Sequence, residues 1–274
     1  MIIPKVRLLL WISLWGITFG LKAQIHSSYT VIKVSGKVIS KILNREIKSG
    51  DIVKPDDRLI FDTREAYVHV INSEGTKTIR NIPDNSPREF MQLMQTFLSP
   101  EKKSKASRGA ATTNLENIKK ELSYDTVLIL GAGAISIDTI ENTLGEPAGV
   151  SVSYLDQGKK VSKIISSNAG FNLGKSFLFS EATGSSYPEV TVMYHQDKKD
   201  PYFTPSVKLG SFIPYYANEA ELQKELKVMV STLNAAHLTA DKIVDEIIHY
   251  LSMEYADPIH ENVNTWLMEN KLLK

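Results

Sequence analysis

Residues 131–136 (GAGAIS) have residue types and spacing that could bind the phosphates of a dinucleotide. They follow the apolar run 126–130 (TVLIL), and Asp156 ends a later apolar run. A strand, a G-x-G turn and a later Asp are typical of dinucleotide-binding folds. The context argues against this chemistry, because Ser136 stands where close helix–strand packing requires a third glycine. Pro147 also leaves little room for a crossover helix. We therefore interpret the stretch as β-structure interrupted by glycines.

A second stretch, residues 169–176 (AGFNLGKS), fits a relaxed P-loop pattern with Ala169 in place of the first glycine. A P-loop requires a helix that starts at the Lys-Ser pair and directs its amides at phosphate. The residues after Ser176 instead have the pattern of a strand, which we predict over 175–180. We therefore do not assign nucleotide hydrolysis to this motif.

The histidines are scattered along the chain: His26, His69, His195, His237, His249 and His260. None has the spacing of a metal site, since His260-Glu261 lacks the second histidine of a zinc-peptidase helix. His195 with Asp197 is an isolated pair, and no G-x-S-x-G elbow nominates a nucleophilic serine. We predict no catalytic, cofactor-binding or metal-binding residues.

Composition excludes several further classes of protein. The 274 residues contain no cysteine, which excludes disulfides, thiol catalysis and cysteine-ligated zinc. The formal net charge of +1 gives no overall field that would favour nucleic acid or an acidic membrane.

The amino-terminal segment predicts export from the cytoplasm. Lys5 and Arg7 precede an apolar run at 8–21, and Ala23 is a small residue at its exit. This pattern is typical of a secretory signal, which we predict over residues 1–23. The alternative is an uncleaved membrane anchor, but the run of about 14 residues is short of the roughly 20 that span a bilayer. We expect a periplasmic or secreted protein.

Short β-rich runs broken by turn residues follow, over 29–34, 37–40, 58–62, 66–71 and 76–82. This spacing predicts a small antiparallel β-module, with Gly36 and Gly50 in turn conformations. Period-2 geometry places the valines of 67–71 on one face of their strand and His69 on the other, with Tyr67 and Ile71.

The order of these signals resembles a FecR-like domain, on the stretches VSGKV (34–38), KSGDIV (48–53), DRLIF (57–61) and AYVHV (66–70). In exported bacterial proteins a FecR-like domain is a binding or regulatory β-domain without an active site. The resemblance implies the same role here, for a domain over residues 24–98 with a short trailing helix near 87–98.

A solvated linker is predicted at 99–113, because this stretch is rich in Lys, Ser and Ala and lacks aromatic and branched aliphatic residues. A second domain then covers 114–274. Its β-part spans 123–207, with strands near 126–130, 150–156, 160–165, 175–180 and 189–195. A tight hairpin turn is predicted at Gln157-Gly158.

Three amphipathic helices are predicted within residues 218–272. Asn218 starts the first, Thr239 caps the second, and Asp257-Pro258 caps and starts the third. The fold class is thus α+β. This half resembles, more loosely, the carboxyl-terminal half of exported bacterial proteins that begin with a FecR-like domain. Genes for such proteins often neighbour caspase-like or CHAT peptidases, which makes a peptidase a candidate partner.

Tyr187, Tyr202, Phe203, Tyr215 and Tyr216 form an aromatic-rich region that we predict as a loop. It could be an interaction surface or the edge of the core.

These observations predict a non-catalytic binding or regulatory protein of the cell envelope that acts through protein–protein contacts. The alternatives are a protein that binds polysaccharide or peptidoglycan, and a hydrolase. A hydrolase of glycans requires two acidic groups that converge in a cleft. A binding protein requires an exposed apolar patch with a polar rim.

Overall fold

A computed structural model describes residues 28–81, 88–89, 115–136, 149–167, 170–179, 187–195 and 206–273. The predicted signal segment 1–23, the linker 99–113, His26, Asp197, Tyr202 and Phe203 lie outside these residues. The described chain mixes helices with mainly antiparallel sheets, so the predicted α+β class is confirmed.

The first part of the chain forms eight described strands in antiparallel pairs. Their bounds are β1 (Tyr29–Ser35), β2 (Val38–Ser40), β3 (Arg45–Glu46), β4 (Ile52–Val53), β5 (Arg58–Phe61), β6 (Tyr67–Asn72), β7 (Gly75–Arg80) and β8 (Arg88–Glu89). They make two four-stranded sheets, in the orders β4-β1-β6-β7 and β3-β2-β5-β8. Val31, Val68 and Val70 of the first sheet share a buried core with Val38 and Leu59 of the second.

Both predicted turn glycines have positive φ angles, +76° at Gly36 and +89° at Gly50. A side chain resists this conformation. A Cβ added at Gly36 would also lie only 2.8 Å from the Cβ of Ala66. These two predictions are confirmed.

The second part of the chain contains the remaining described elements. They are α1 (Leu115–Glu121), β9 (Thr126–Leu128), β10 (Ala134–Ser136), β11 (Gly149–Asp156), β12 (Lys159–Ile164), β13 (Ser166–Ser167), β14 (Gly170–Asn172), α2 (Lys175–Leu178), β15 (Val190–His195), β16 (Ser206–Tyr215), α3 (Glu219–Ala235), α4 (Ala240–Glu254), β17 (Asp257–Pro258) and α5 (His260–Glu269).

A six-stranded sheet in the order β12-β11-β15-β16-β9-β17 organises this half. The strands β11, β12, β15 and β16 pair antiparallel, whereas β9 lies parallel to β16 and β17. Alternate residues of the sheet, such as Val152, Val192 and Phe212, face a buried core. That core is closed by α1, α2 and the small sheet β10-β14-β13.

Helices α3, α4 and α5 build a second core, which includes Met229, Ile247 and Trp266. Asn218 caps α3 through its side chain, which accepts hydrogen bonds from the amides of Ala220 and Glu221. Asn262 of α5 ties this core to the large sheet, because its side chain bonds both the N–H and the C=O of Leu130.

Strands β1 and β6 are buried on both faces because the helices cover the face opposite the valine core. A bulge in β1 between Val31 and Lys33 makes Ile32 the extra residue against β6. Ile32 lies in the core built by α3, α4 and α5, and Lys33 lies opposite His69 in the register of the two strands. The bulge thereby directs two successive side chains toward α3 and α4.

Two local predictions are wrong. Residues 175–178 form helix α2 instead of a strand, because the amides of Phe177 and Leu178 bond back to the carbonyl of Gly174. Asp257-Pro258 is strand β17 instead of a helix cap. It lies at the edge of the sheet, where a missing N–H is tolerated, and α5 begins at His260. Of the helix predicted near 87–98, Arg88–Glu89 form strand β8, and Pro87 and residues 90–98 lie outside the described residues.

Candidate functional site

The densest group of ionisable side chains joins the first sheet to helices α3 and α4. Lys33 Nζ lies 2.8 Å from Glu254 Oε1 and 3.3 Å from Glu225 Oε1. The lysine also donates a hydrogen bond of 3.1 Å to the hydroxyl of Tyr255 and lies 4.6 Å from the centroid of that ring. One β-strand and two helices therefore meet at a single ammonium group.

Three further side chains, Tyr67, His69 and Tyr250, complete this group. We call it the lysine-centred cluster: Lys33, Tyr67, His69, Glu225, Tyr250, Glu254 and Tyr255. Tyr67 donates to Glu254 Oε1 at 2.8 Å, and His69 Nε2 donates to Glu254 Oε2 at 2.6 Å. The hydroxyls of Tyr250 and Tyr255 both donate to Glu225 Oε2, at 2.7 and 2.6 Å. The two carboxylates thus each accept several hydrogen bonds inside the protein.

Burial and hydrogen bonding shift the pKa values of the charged groups in the cluster in opposite directions. Burial alone would raise the pKa of Glu254, but the hydrogen bonds from His69, Lys33 and Tyr67 outweigh it and lower the pKa to about 2. Burial would lower the pKa of Lys33, yet its bonds to Glu254 and Tyr255 and the charge of Glu225 raise it. Both groups are ionised at neutral pH.

This geometry suits a structural joint better than catalysis. Glu254 is a carboxylate with three donors, so it offers no proton to a substrate at neutral pH. Burial, with the charge of Glu225, raises the pKa of the Tyr250 hydroxyl, which removes it as a nucleophile. The cluster instead fixes the orientation of the first sheet relative to the helix pair.

The sequence did not reveal this cluster, because its members are separated by up to about 220 residues. The one local signal was the placement of His69 and Tyr67 on the strand face opposite the valines. That face lies under α4, where both side chains bond Glu254.

The glycines of the two phosphate-like motifs lie against each other. A Cβ on Gly133 would approach the backbone nitrogen of Gly174 to 2.6 Å, and a Cβ on Gly174 would approach the carbonyl oxygen of Ala132 to 2.6 Å. The contact at Gly170 is tighter still, since a Cβ added to this residue would lie 1.9 Å from the carbonyl oxygen of Ile135. The glycines therefore permit close backbone contact between the two loops around β10 and β14.

Two histidines form pairs that the sequence did not predict. His195 Nε2 lies 2.7 Å from Ser151 Oγ, and its buried Nδ1 has no hydrogen-bond partner among the described residues. Ser151 sits in the middle of β11, whose neighbours β12 and β15 pair with it on both sides. The backbone amides of β11 beside Ser151 are committed to the sheet, so they cannot form an oxyanion hole.

His260 bonds Glu121 of α1 through Nδ1, and this hydrogen bond raises the pKa of the histidine. The contact joins α1 to α5. Within the described ranges, no three His, Asp or Glu side chains form a group that could hold a metal ion.

The aromatic-rich region divides between core and surface. Tyr187 and Tyr216 pack against Phe179 with ring centroids 5.0 and 6.5 Å away. Tyr215, in contrast, lies in β16, which the sequence did not predict as a strand. Its ring lies 6.3 Å from that of Tyr255, at the border of the lysine-centred cluster.

The six-stranded sheet has one face that the described helices leave partly open. Register and alternation place the following residues on this open face: Ser151, Ser153, Leu155, Lys160, Ser162, Ile164, Thr191, Met193, Lys208, Ser211, Ile213 and Tyr215. His195 lies on the same side of the sheet but is buried beside Ser151. Four of the larger side chains of the open face are exposed: Leu155 at 62%, Ile164 at 63%, Ile213 at 46% and Tyr215 at 41%.

The helices cover the same side of the sheet only at β9. Tyr215 pairs with Leu128 in register, so the two side chains lie on one side. Leu128 is buried in the helical core, whereas Tyr215 is exposed. The open face therefore begins where α3 and α4 end and extends across β16, β15, β11 and β12.

The described helices include none that is both long and apolar enough to cross a membrane. Comparison of the chain with protein-family models, with curated proteins and with solved structures finds no match.

Proposed function

We propose that this chain is an exported, non-catalytic binding protein of the bacterial cell envelope, and that it binds a partner protein through the open face of its six-stranded sheet. The observation that carries the proposal is the set of exposed apolar side chains on that face, Leu155, Ile164, Ile213 and Tyr215, with serine and threonine side chains between them. Exposed large apolar side chains that share one face with polar groups are characteristic of a protein-binding surface.

The charges of the open face indicate the kind of partner. Lys160 and Lys208 are its charged side chains within the described strands, and both are exposed. A partner surface that carries acidic groups together with apolar side chains would complement this pattern.

The alternatives have less support in the described residues. A glycan-binding face is usually lined by several aromatic rings, and Tyr215 is the one aromatic residue among those assigned to the open face. For a hydrolase, the strongest acidic pair is Glu225 and Glu254, but both carboxylates are bonded to Lys33 and lie within the joint.

The location and the family remain part of the proposal. Export rests on the signal predicted over residues 1–23. A FecR-like role for residues 24–98 rests on the four matching stretches and agrees with the turn glycines Gly36 and Gly50. The same resemblance makes a caspase-like or CHAT peptidase the first partner to test.

Site-specific photo-crosslinking tests this function in the cells that produce the protein. A photoreactive amino acid is placed at Leu155 or Ile213 of the open face, and at Ile52 or Met268 as controls. The control side chains are also apolar and exposed, at 58% and 61%, but lie on β4 and α5.

We expect one protein adduct of constant mass at Leu155 and Ile213 and none at Ile52 and Met268. The adduct should disappear when Ile164 is replaced by Glu, and remain when Ile52 is replaced by Glu. Adducts at all four positions, adducts with glycan, or no adduct would each overturn the proposal.

A further inference from the structure

Strand β12 is an outer edge of the six-stranded sheet. Every residue from Lys159 to Ile164 pairs with β11, and no described strand lies on the other side of β12. Edge strands carry unpaired backbone groups that can bind another strand.

The register identifies which backbone groups point outward. Ile165 N–H donates to the carbonyl of Val150, so this residue pair is a hydrogen-bonded one. Because hydrogen-bonded and non-hydrogen-bonded pairs alternate along an antiparallel ladder, Val161 and Lys163 direct their N–H and C=O toward β11. Lys160, Ser162 and Ile164 direct theirs away from the sheet. These three residues are also exposed.

Apart from its lysines, the edge is regular and lacks the usual devices that prevent strand addition. Residues 159–164 contain no proline or glycine, and the pairing with β11 has no bulge. Lysine side chains are the one feature of β12 that opposes the addition of another strand. Lys163 is already occupied, since its Nζ donates to the carbonyl of Leu178 at 2.7 Å, whereas Lys159 and Lys160 are exposed.

The charges of Lys159 and Lys160 determine which kind of segment could pair with β12. A second copy of this chain would bring a second set of lysines to the same edge and be repelled. A segment with acidic side chains would be attracted. When its apolar side chains lie beside Ile164 and Leu155, its alternate acidic side chains lie on the other side of the sheet, the side of Lys159.

We propose that β12 is a docking edge for an extended acidic segment of the partner protein, which adds to the sheet as a further strand. This inference rests on the proposed function, because it names how that partner engages the border of the open face. Main-chain hydrogen bonds would supply affinity, and the lysines would supply specificity.

A peptide-binding experiment tests the edge directly. The probe is a fluorescein-labelled octapeptide of alternating Glu and Val, and its counterpart contains Lys in place of Glu. Fluorescence polarisation measures binding to the full chain and to its variants. Backbone amide exchange is measured by NMR with and without the acidic peptide.

Two variants at one residue separate backbone from side-chain effects. Ser162→Pro removes an outward N–H without deleting a bond to β11, and proline is tolerated at such positions. Ser162→Ala keeps the N–H. We expect Ser162→Pro to weaken binding of the acidic peptide at least about tenfold and Ser162→Ala to change it less than about threefold.

The charge-reversed variant Lys159→Glu/Lys160→Glu should lose the acidic peptide and bind the lysine peptide. Amides of Lys160, Ser162 and Ile164 should become protected on binding, while those of Val161 and Lys163 stay unchanged. No binding of the acidic peptide, or binding that Ser162→Pro leaves intact, would overturn the docking edge. The crosslinking at Leu155 and Ile213 is a separate experiment. It tests the proposed function whether or not the acidic peptide binds to β12.

Discussion

Replacement of Glu254 by Gln is the sharpest test of the lysine-centred cluster. The substitution preserves the size of the side chain but removes the charge that Lys33, His69 and Tyr67 contact. Lys33 would then retain one close carboxylate, Glu225, at 3.3 Å. We expect the variant to fold and to be less stable than the natural protein at neutral pH.

The magnitude follows from the pKa of Glu254. Its decrease from 4.5 to about 2 corresponds to about 3 kcal/mol at about 1.4 kcal/mol per unit. The side chains of Glu254 and Lys33 are 11% and 25% exposed, so water screens part of their attraction. We therefore expect a loss of about 1–2 kcal/mol in the free energy of unfolding at pH 7.

The pH dependence has a defined sign. A carboxyl group whose pKa is lowered on folding stabilises the folded state above its unfolded pKa, and this contribution decreases as the group is protonated. The stability difference between the natural protein and Glu254→Gln should thus be constant above about pH 5 and shrink between about pH 5 and pH 2.

Urea unfolding followed by circular dichroism measures both quantities. Glu269→Gln is the matched control, because Glu269 is exposed at the end of α5, and it should change stability by less than about 0.5 kcal/mol. A Glu254→Gln variant as stable as the control, or a stability difference that does not change as the pH falls, would refute the assignment of the cluster as a stabilising joint.

Two further predictions concern the glycine motifs and the Glu121–His260 pair. Gly170→Ala should destabilise the protein by at least about 2 kcal/mol in thermal unfolding, because its Cβ would meet the carbonyl oxygen of Ile135. Gly158→Asn is the control, because Gly158 lies in a turn with open space around it. This substitution should reduce stability by less than about 1 kcal/mol. Equal losses of stability in the two variants would contradict the explanation. Since the pKa of His260 is raised by Glu121, their contact stabilises the fold at pH 6 and less at higher pH, as the histidine loses its proton. Glu121→Gln should therefore be less stable than the natural protein mainly near pH 6, and a difference that grows toward pH 9 would refute this.

Local structure was predictable where a turn or cap depends on nearby residues. Gln157 and Gly158 have φ angles of +50° and +78°, as a two-residue hairpin turn requires, and Asp156 pairs with Lys159. Asn218 likewise caps α3 through amides only two and three residues ahead. In both cases the residues that determine the geometry are adjacent in the chain.

Prediction failed where distant contacts decide the structure. Strand β16 contains Gly210 and Pro214, which obscure its pattern. Gly210 is required because the carbonyl oxygen of Leu122 approaches its Cβ position to 2.0 Å, and Pro214 lies beyond the last pair with β15. Neither contact has a local signal in the sequence. The lysine-centred cluster was missed for the same reason.

The cluster and the open face are consequences of one arrangement. The helices α3 and α4 contact the first sheet through Lys33, Glu225 and Glu254, and they cover the large sheet only as far as Leu128. Because the joint fixes the helix pair, the helices cannot move across β16 to bury Ile213 and Tyr215 without breaking the partly buried ion pairs of Lys33. The apolar side chains beyond that border therefore stay available to a partner, which is why a substitution in the joint should also reduce the crosslinking at Ile213.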